Sequence, residues 1–318
     1  MRDLSQSIVL TGQGHWCRVL AEGLERWADV RVGTVPFDSI KQALHASAWR
    51  ALLHAETVVL VGFRPGAATV RGRAFAAAFG LVRRHSVYPL RVIQYWIGTD
   101  VMRALAAARD GNTGALMREA STNEHIAGSP PLAHDLATIG IDAEVIDFPW
   151  SEALSAAAIP PMPERFTVLS YVPDARPEFY GGPQILEAAR ALPDVQFLIV
   201  GGTGKWTAGT PGNVRILGWQ EDMEPWYAAA SCVVRMVEYD SIGATVAEAL
   251  TRGRTVVYSR PFDHTLFVAH GNAVALGATL RTLADAYDRR PDTGAAAWAR
   301  EYFDPERRFK RLAERITR

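Results

Sequence analysis

Cysteine is almost missing from the 318-residue chain: Cys17 and Cys232 are far apart, with no C-x-x-C arrangement. That scarcity excludes a disulfide scaffold and leads us to expect reduced, packing thiols in a cytosolic protein. Net charge is also absent, 34 Lys+Arg against 34 Asp+Glu, which removes whole-molecule attraction to nucleic acid as a function class. Long apolar runs are lacking; each stops well short of the ~20 residues a membrane-spanning helix needs. The first apolar segment, Ile8 to Leu10, is too brief for the core of a secretion signal. The histidines show no metal-ligand spacing, His264 and His270 beside Asp263 included, so no metal site is expected. Gly12-x-Gly14 lacks the third glycine of a dinucleotide fingerprint, because Cys17 stands in its place.

What remains is 48% hydrophobic and 9% aromatic, a globular composition large enough for two domains of about 150 residues. Short β-branched runs alternate with alanine-rich helical stretches, the form of repeated βαβ units in an α/β protein. Strands are expected at Ile8–Thr11, Val30–Val35, Thr57–Val61, Arg91–Tyr95, Glu124–Ala127 and Glu144–Phe148. After a proline-rich stretch, Ile159-Pro160-Pro161-Met162-Pro163, the alternation restarts at Phe166–Tyr171, Gln196–Val200, Val214–Leu217, Cys232–Met236 and Thr255–Tyr258. The reading is an N-terminal Rossmann-like domain over 1–149, a linker over 150–164, a second Rossmann-like domain over 165–300 and a C-terminal helix over 301–318 crossing back to the first. Two doubly wound domains would face each other across a cleft lined by strand ends, where such sheets bind ligands.

The segment Asp240-Ser-Ile-Gly243-Ala244-Thr245-Val-Ala-Glu248 follows a strand and opens a helix. Amides of Gly243, Ala244 and Thr245 at a helix N-terminus suit phosphate oxygens. Gly243 lets a ligand approach the backbone, Glu248 suits a ribose diol, and Asp240 would stand at the loop tip. The competing reading is a capped helix with a solvated Glu248.

In context the segment resembles the E-x7-E phrase of the GT-B glycosyltransferases, specifically the retaining nucleotide-sugar enzymes of glycosyltransferase family four. Gly243, Glu248 and Ala249 fall in register, with Asp240 replacing the first Glu. Ile199-Val200-Gly201-Gly202, Asn213 to Trp219 and Trp226 to Cys232 have the family's spacing, and the tail from Trp298 to Glu306 looks like its terminal helix. Over 165–318 the resemblance is fairly specific. In the first half, Thr11-Gly12-Gln13-Gly14 resembles the loop lying against the donor diphosphate, and Trp96-Ile97-Gly98-Thr99-Asp100 resembles H-G-T-D, with Ile97 replacing the histidine.

The resemblance implies a metal-independent glycosyltransferase, in keeping with the lack of a D-x-D phrase, which needs no cofactor. It would move a sugar from a nucleoside-diphosphate-sugar donor to a saccharide, lipid-linked or small-molecule acceptor with retention. Gly12, Gly14, Gly243, Ala244 and Thr245 would hold the diphosphate, Glu248 the ribose and Trp219 the base, while Asp240 orients the sugar and Asp100 contacts the acceptor. The family places an Arg and a Lys in the first loop of the second domain, and Tyr171 and Tyr180 stand there instead. The missing charge is assigned to Arg235, aided by Arg176; the alternative is an ion pair of Arg235 with Glu238 or Asp240. Two rival functions remain: a nucleotide-sugar-binding protein without turnover, and a Rossmann oxidoreductase using the loop at Gly12.

From Arg64 to Arg91 the chain has six arginines and no acid, around a stripe of Phe75, Phe79 and Val82. The plain reading is a helix packed on its own sheet with solvated arginines. The sharper one is a peripheral contact of 64–91 with the inner face of the membrane.

Overall fold

The computed structural model describes residues 2–37, 45–62, 70–111, 120–149 and 158–318. The chain divides into two compact units, Met1–Ser151 with Asp304–Arg318, and Glu152–Phe303.

The first unit is built on β1 (Arg2–Gly12), β2 (Val30–Pro36), β3 (Thr57–Val61), β4 (Arg91–Trp96), β5 (Glu124–Ala127) and β6 (Glu144–Val145). These strands form one sheet in the order β2-β1-β3-β4-β5-β6, and every pair is parallel. A parallel sheet covered on both faces demands strands that are apolar throughout, and all five residues of β3 are buried. Leu10, Val59, Ile93 and Tyr95 face one core; Val9, Val58, Leu60 and Val92 face another with Phe79 and Val82. The helices are α1 (Gly14–Ala28), α2 (Ala46–His54), α3 (Val70–His85), α4 (Thr99–Arg109) and α5 (Pro130–Ala137).

The second unit comprises β7 (Thr167–Tyr171), α6 (Gly182–Ala191), β8 (Gln196–Val200), β9 (Val214–Ile216), α7 (Glu224–Ala229), β10 (Cys232–Arg235), α8 (Ala244–Thr251), β11 (Thr255–Tyr258), β12 (Leu266–Phe267), α9 (Ala273–Asp285) and α10 (Thr293–Tyr302). Its parallel sheet has the order β12-β11-β10-β7-β8-β9. Val168, Phe197, Ile199, Val234 and Val257 pack beneath α6 and α9, through Ile185, Leu186, Leu276 and Leu280. Cys17 and Cys232 are buried and free, and burial pushes the Cys232 thiol up to about 12, so it stays protonated at neutral pH.

Helix α11 (Pro305–Thr317) belongs to the first unit. Phe309, Leu312 and Ile316 enter the core shared with α1, a burial that stabilises by roughly 2 kcal/mol per side chain. Gly23 makes the approach possible, since a Cβ there would stand 1.8 Å from the Phe309 ring. Arg315 on the same helix bridges Glu124 and Glu144.

The structure extends or trims several expected strands. β1 begins at Arg2 because Arg2 to Leu4 pair with Val30 to Val32 across a register shift, an edge contact that polar residues do not announce. Of Glu144–Phe148, two residues form a strand; the amides of Ile146 and Phe148 still bond Ala127 and Gly128. β12 has two exposed residues and no alternation to reveal it. Of the expected linker over 150–164, residues 150–157 lie outside the described residues. Arg254 donates to the Pro160 and Pro161 carbonyls at 2.9 and 3.0 Å, so residues 160–161 are tied to β11.

Candidate functional site

In the second unit the chain builds β7-β8-β9 toward one edge and then β10-β11-β12 toward the other, so β7 and β10 adjoin where the order reverses. Such a reversal opens a crevice at the carboxyl ends of the strands. Three polar side chains stand side by side there. Ser170 pairs in register with Val234 and Arg235 with Tyr258, which brings Tyr171, Arg235 and Tyr258 to the ends of three neighbouring strands.

Arg235 is the centre of this group. Its Nε donates to Asp240 Oδ2 at 2.5 Å, its Nη1 to Thr245 Oγ1 at 3.4 Å, and its guanidinium lies 5.6 Å from the Tyr180 ring centre. The Tyr258 hydroxyl donates to the same Asp240 oxygen at 3.1 Å, and Asp240 Oδ1 accepts from the Ser241 amide. Burial opposes the Arg235 charge, but Asp240 outweighs it through its own charge and hydrogen bond, holding the pKa above its ordinary value. Burial, with Asp240 adding to it, raises the Tyr258 phenol well above its ordinary range.

These contacts add to three expectations. Asp240 is not a loose loop-tip carboxylate but the partner of Arg235, with 16% of its side chain exposed. Arg235 has the ion pair that was its alternative reading. Gly243 is required first by Arg235: a Cβ at 243 would lie 2.1 Å from Arg235 Nε, so the glycine accommodates the guanidinium before any ligand.

Ala244 and Thr245 open α8, whose N-cap, Gly243, makes no side-chain cap bond. One turn on, Glu248 is neither free nor merely solvated, because Oε2 accepts from the Tyr227 hydroxyl. Burial, reinforced by Glu248, pushes the Tyr227 phenol well above its usual value. Tyr227 was missed in sequence because it sits on another helix, 21 residues earlier.

Two loops border the crevice. Asp174, also missed, accepts from the Thr203 amide and hydroxyl, both at 2.8 Å, and from the Gly204 amide at 3.0 Å; the Thr203 bonds hold its carboxyl below the ordinary range. Gly202 makes this tie possible, since a Cβ would stand 2.7 Å from the Val172 carbonyl. The Gly201-Gly202 pair was the available signal. Beyond β8 the Gly218 carbonyl accepts from Gly201 N, and Trp219 projects outward with 69% of its surface exposed. Arg176 stacks 3.6 Å over Phe179.

The N-terminal candidates lie in the other unit. Gly12 has φ +134°, and a Cβ would meet the Val61 carbonyl at 2.3 Å, so β1 and β3 require this glycine for their own approach. Gly14 is buried at the start of α1. Asp100, expected at the acceptor, has 1% exposure. It instead accepts amides of Ile97, Gly98 and Val101 at 2.9–3.1 Å, capping the loop before α4. Burial raises its pKa to about 6, against the pull of those amides.

Among the described residues no three His, Cys, Asp or Glu side chains gather to hold a metal ion, and no helix is long and apolar enough to cross a membrane.

Residues 181–289 match the family model described as Glycosyl transferases group 1. No curated protein matches the chain. Among solved structures it is similar to Alr3699/HepE of Anabaena in complex with UDP-glucose, with TM-score 0.71 and 14% identity over 98% of this chain and 99% of that one. A glycosyltransferase of Rickettsia africae ESF-5 gives TM-score 0.68 and 11% identity over 98% and 97%. WaaG, a glycosyltransferase involved in lipopolysaccharide biosynthesis, gives 0.64 and 18% over 98% and 99%. At these identities the likeness speaks of fold, and the fold is GT-B.

Proposed function

We propose, from a chain with the GT-B fold and a group 1 glycosyltransferase match within its second unit, that it transfers a sugar from a nucleoside-diphosphate-sugar donor to an acceptor hydroxyl with retention. The observation that carries the reading is the convergence of Arg235 and the start of α8, both inside the residues the family model covers, at the sheet reversal beside Tyr171. Amides of Ala244 and Thr245, with Arg235, would stabilise charge developing on the departing diphosphate. Glu248 would use its remaining lone pairs on the ribose, and exposed Trp219 would meet the base. A UDP-sugar is the first donor to try, since a fold relative was captured with UDP-glucose.

The test is a thermal-shift panel of UDP, GDP, ADP, CMP and NAD. A ligand at 100 times its dissociation constant adds about 2.7 kcal/mol of stability, so a real donor nucleotide is easily seen. Stabilisation by one nucleoside diphosphate, followed by acceptor-dependent release of that nucleotide, is the expected result; stabilisation by NAD alone overturns the reading. One observation favours a sugar-nucleotide-binding protein without turnover: Asp240 already neutralises Arg235, leaving less charge for a leaving group. Binding without release would select that reading, and the anomeric proton of the product reports retention.

The acceptor side bears on the basic segment. Residues 63–69 lie outside the described residues, and Phe79 and Val82 are core. Leu81, Val87 and Tyr88, however, are exposed beside exposed Arg84 and His85. We place a peripheral membrane contact at this patch, suited to an anionic surface. Flotation with anionic vesicles should carry the wild type and lose Leu81→Asp/Val87→Asp; salt-insensitive or absent flotation removes the idea.

A further inference from the structure

The polar groups at the sheet reversal differ in whether they already have partners. Tyr227 and Tyr258 donate to carboxylates, and Tyr95 and Tyr287 to backbone carbonyls. Tyr171 and Tyr180 are partly buried, yet among the described residues neither hydroxyl has a hydrogen-bond partner. Their rings meet edge to face, centres 5.4 Å apart. Tyr171 feels both Tyr180 and Arg235, which respectively oppose and favour its ionisation, while burial keeps the phenol above its ordinary value. Tyr180 in turn favours the Arg235 charge. The two rings and the guanidinium therefore lie close together beside α8.

The local backbone is shaped for these rings. Gly201 has φ +99°, and a Cβ there would lie 2.5 Å from the Tyr171 ring. Gly181, at φ +69°, sets Tyr180 at the entry to α6, where a Cβ would meet Met236 at 2.4 Å. Phenol hydroxyls without a protein partner are donors free to bond a ligand rich in acceptor oxygens, and a phosphate presents such oxygens to donors on several sides.

We propose that Tyr171 and Tyr180, with Arg235 beside them, form a hydroxyl clamp for the phosphates of the donor, holding the diphosphate chiefly by neutral O–H donors. The inference rests on the donor-site reading and adds the groups that grip its anion. The clamp accounts for a site whose Arg235 is already paired to Asp240. Burial holds the Tyr171 phenol above its ordinary value, so it remains a proton donor at neutral pH.

The experiment removes single atoms. Tyr171→Phe, Tyr180→Phe and the double variant keep both rings, so the packing on Gly201 is retained. Affinity is measured by calorimetry for the nucleoside diphosphate that stabilises the wild type most, and for its parent nucleoside. Each single variant should weaken the diphosphate by about tenfold, the loss expected of a hydrogen bond to a charged group, and leave the nucleoside unchanged. The double variant should lose more than either. Unchanged diphosphate affinity in all three overturns the clamp while leaving the donor site standing; an equal loss for nucleoside and diphosphate overturns it too, since the phenols would then be scaffolding. A wild type that binds no nucleoside diphosphate removes the donor-site reading itself. Tyr180→Lys gives a second readout: it should restore or raise diphosphate affinity with a steeper dependence on salt, and a loss of affinity at low salt speaks against phosphates at this position.

Discussion

Both units fold the same way, yet the carboxyl ends of their sheets are finished differently. At the reversal of the first sheet, between β1 and β3, the polar groups are already engaged. Thr11 donates to the Val35 carbonyl at 2.7 Å and Gln13 to Gly62 at 2.6 Å, and beyond neighbouring β4 Asp100 takes its loop's amides. At the reversal of the second, Arg235 and Asp240 form a pre-set pair, while the Tyr171 and Tyr180 hydroxyls and the start of α8 remain open. A doubly wound sheet offers a crevice in either case. Capacity for a ligand depends on the donors left over once the backbone has been satisfied.

Glycine substitutions sharpen this contrast most. Gly12→Ala combines an unfavourable φ with a backbone clash and should destabilise by roughly 3 kcal/mol or more in urea unfolding, without altering nucleotide affinity of the folded fraction. Gly243→Ala meets a side chain that can shift, so it should destabilise less and weaken nucleotide binding instead. Arg235→Ala leaves Asp240 mostly buried without its cation, and about 3 kcal/mol of stability should disappear with nucleotide affinity; values within threefold of wild type for both would break the assignment of Arg235 to the site.

Asp100→Asn probes the closed end. Because burial raises the Asp100 pKa to about 6, the folded state holds its proton more tightly than the unfolded chain does. This site's contribution is therefore complete below about pH 4 and lost as pH rises through about 6, a change of roughly 3 kcal/mol. The variant should flatten that part of the stability profile and leave nucleotide binding alone. The smallest effect is expected from Glu248→Gln. It should weaken nucleotide binding by about tenfold with little change in melting temperature, because an amide oxygen can still accept from Tyr227.

Much of the architecture was legible because a parallel sheet buried on both faces forces its strands to be apolar, as in Thr57–Val61. The exposed β12 and the polar beginning of β1 obey no such constraint and left no mark. At the site, Arg235 was visible as a charge ending an apolar strand. Its choice between ligand and ion pair was not, because that depends on how the loop from Met236 to Ile242 folds back to deliver Asp240. Tyr258 reaches Asp240 and Tyr227 reaches Glu248 only through sheet register and helix packing, which spacing along the chain does not encode. Gly243 was noticed for a sound reason and a different neighbour: the group that needs the space is the protein's own.

The contact of Gly23 with Phe309 has a consequence for the order of events during synthesis. The second unit is one continuous stretch, Glu152–Phe303, and has every residue of its core once that stretch has emerged. The first unit begins earlier and must wait longer, because the ring that fills the space over α1 is made only after the whole second unit. Loss of α11 would thus leave a hole in the older half of the nascent chain and spare the younger. A ribosome-bound intermediate should contain a finished C-terminal unit and an N-terminal unit still lacking its final helix.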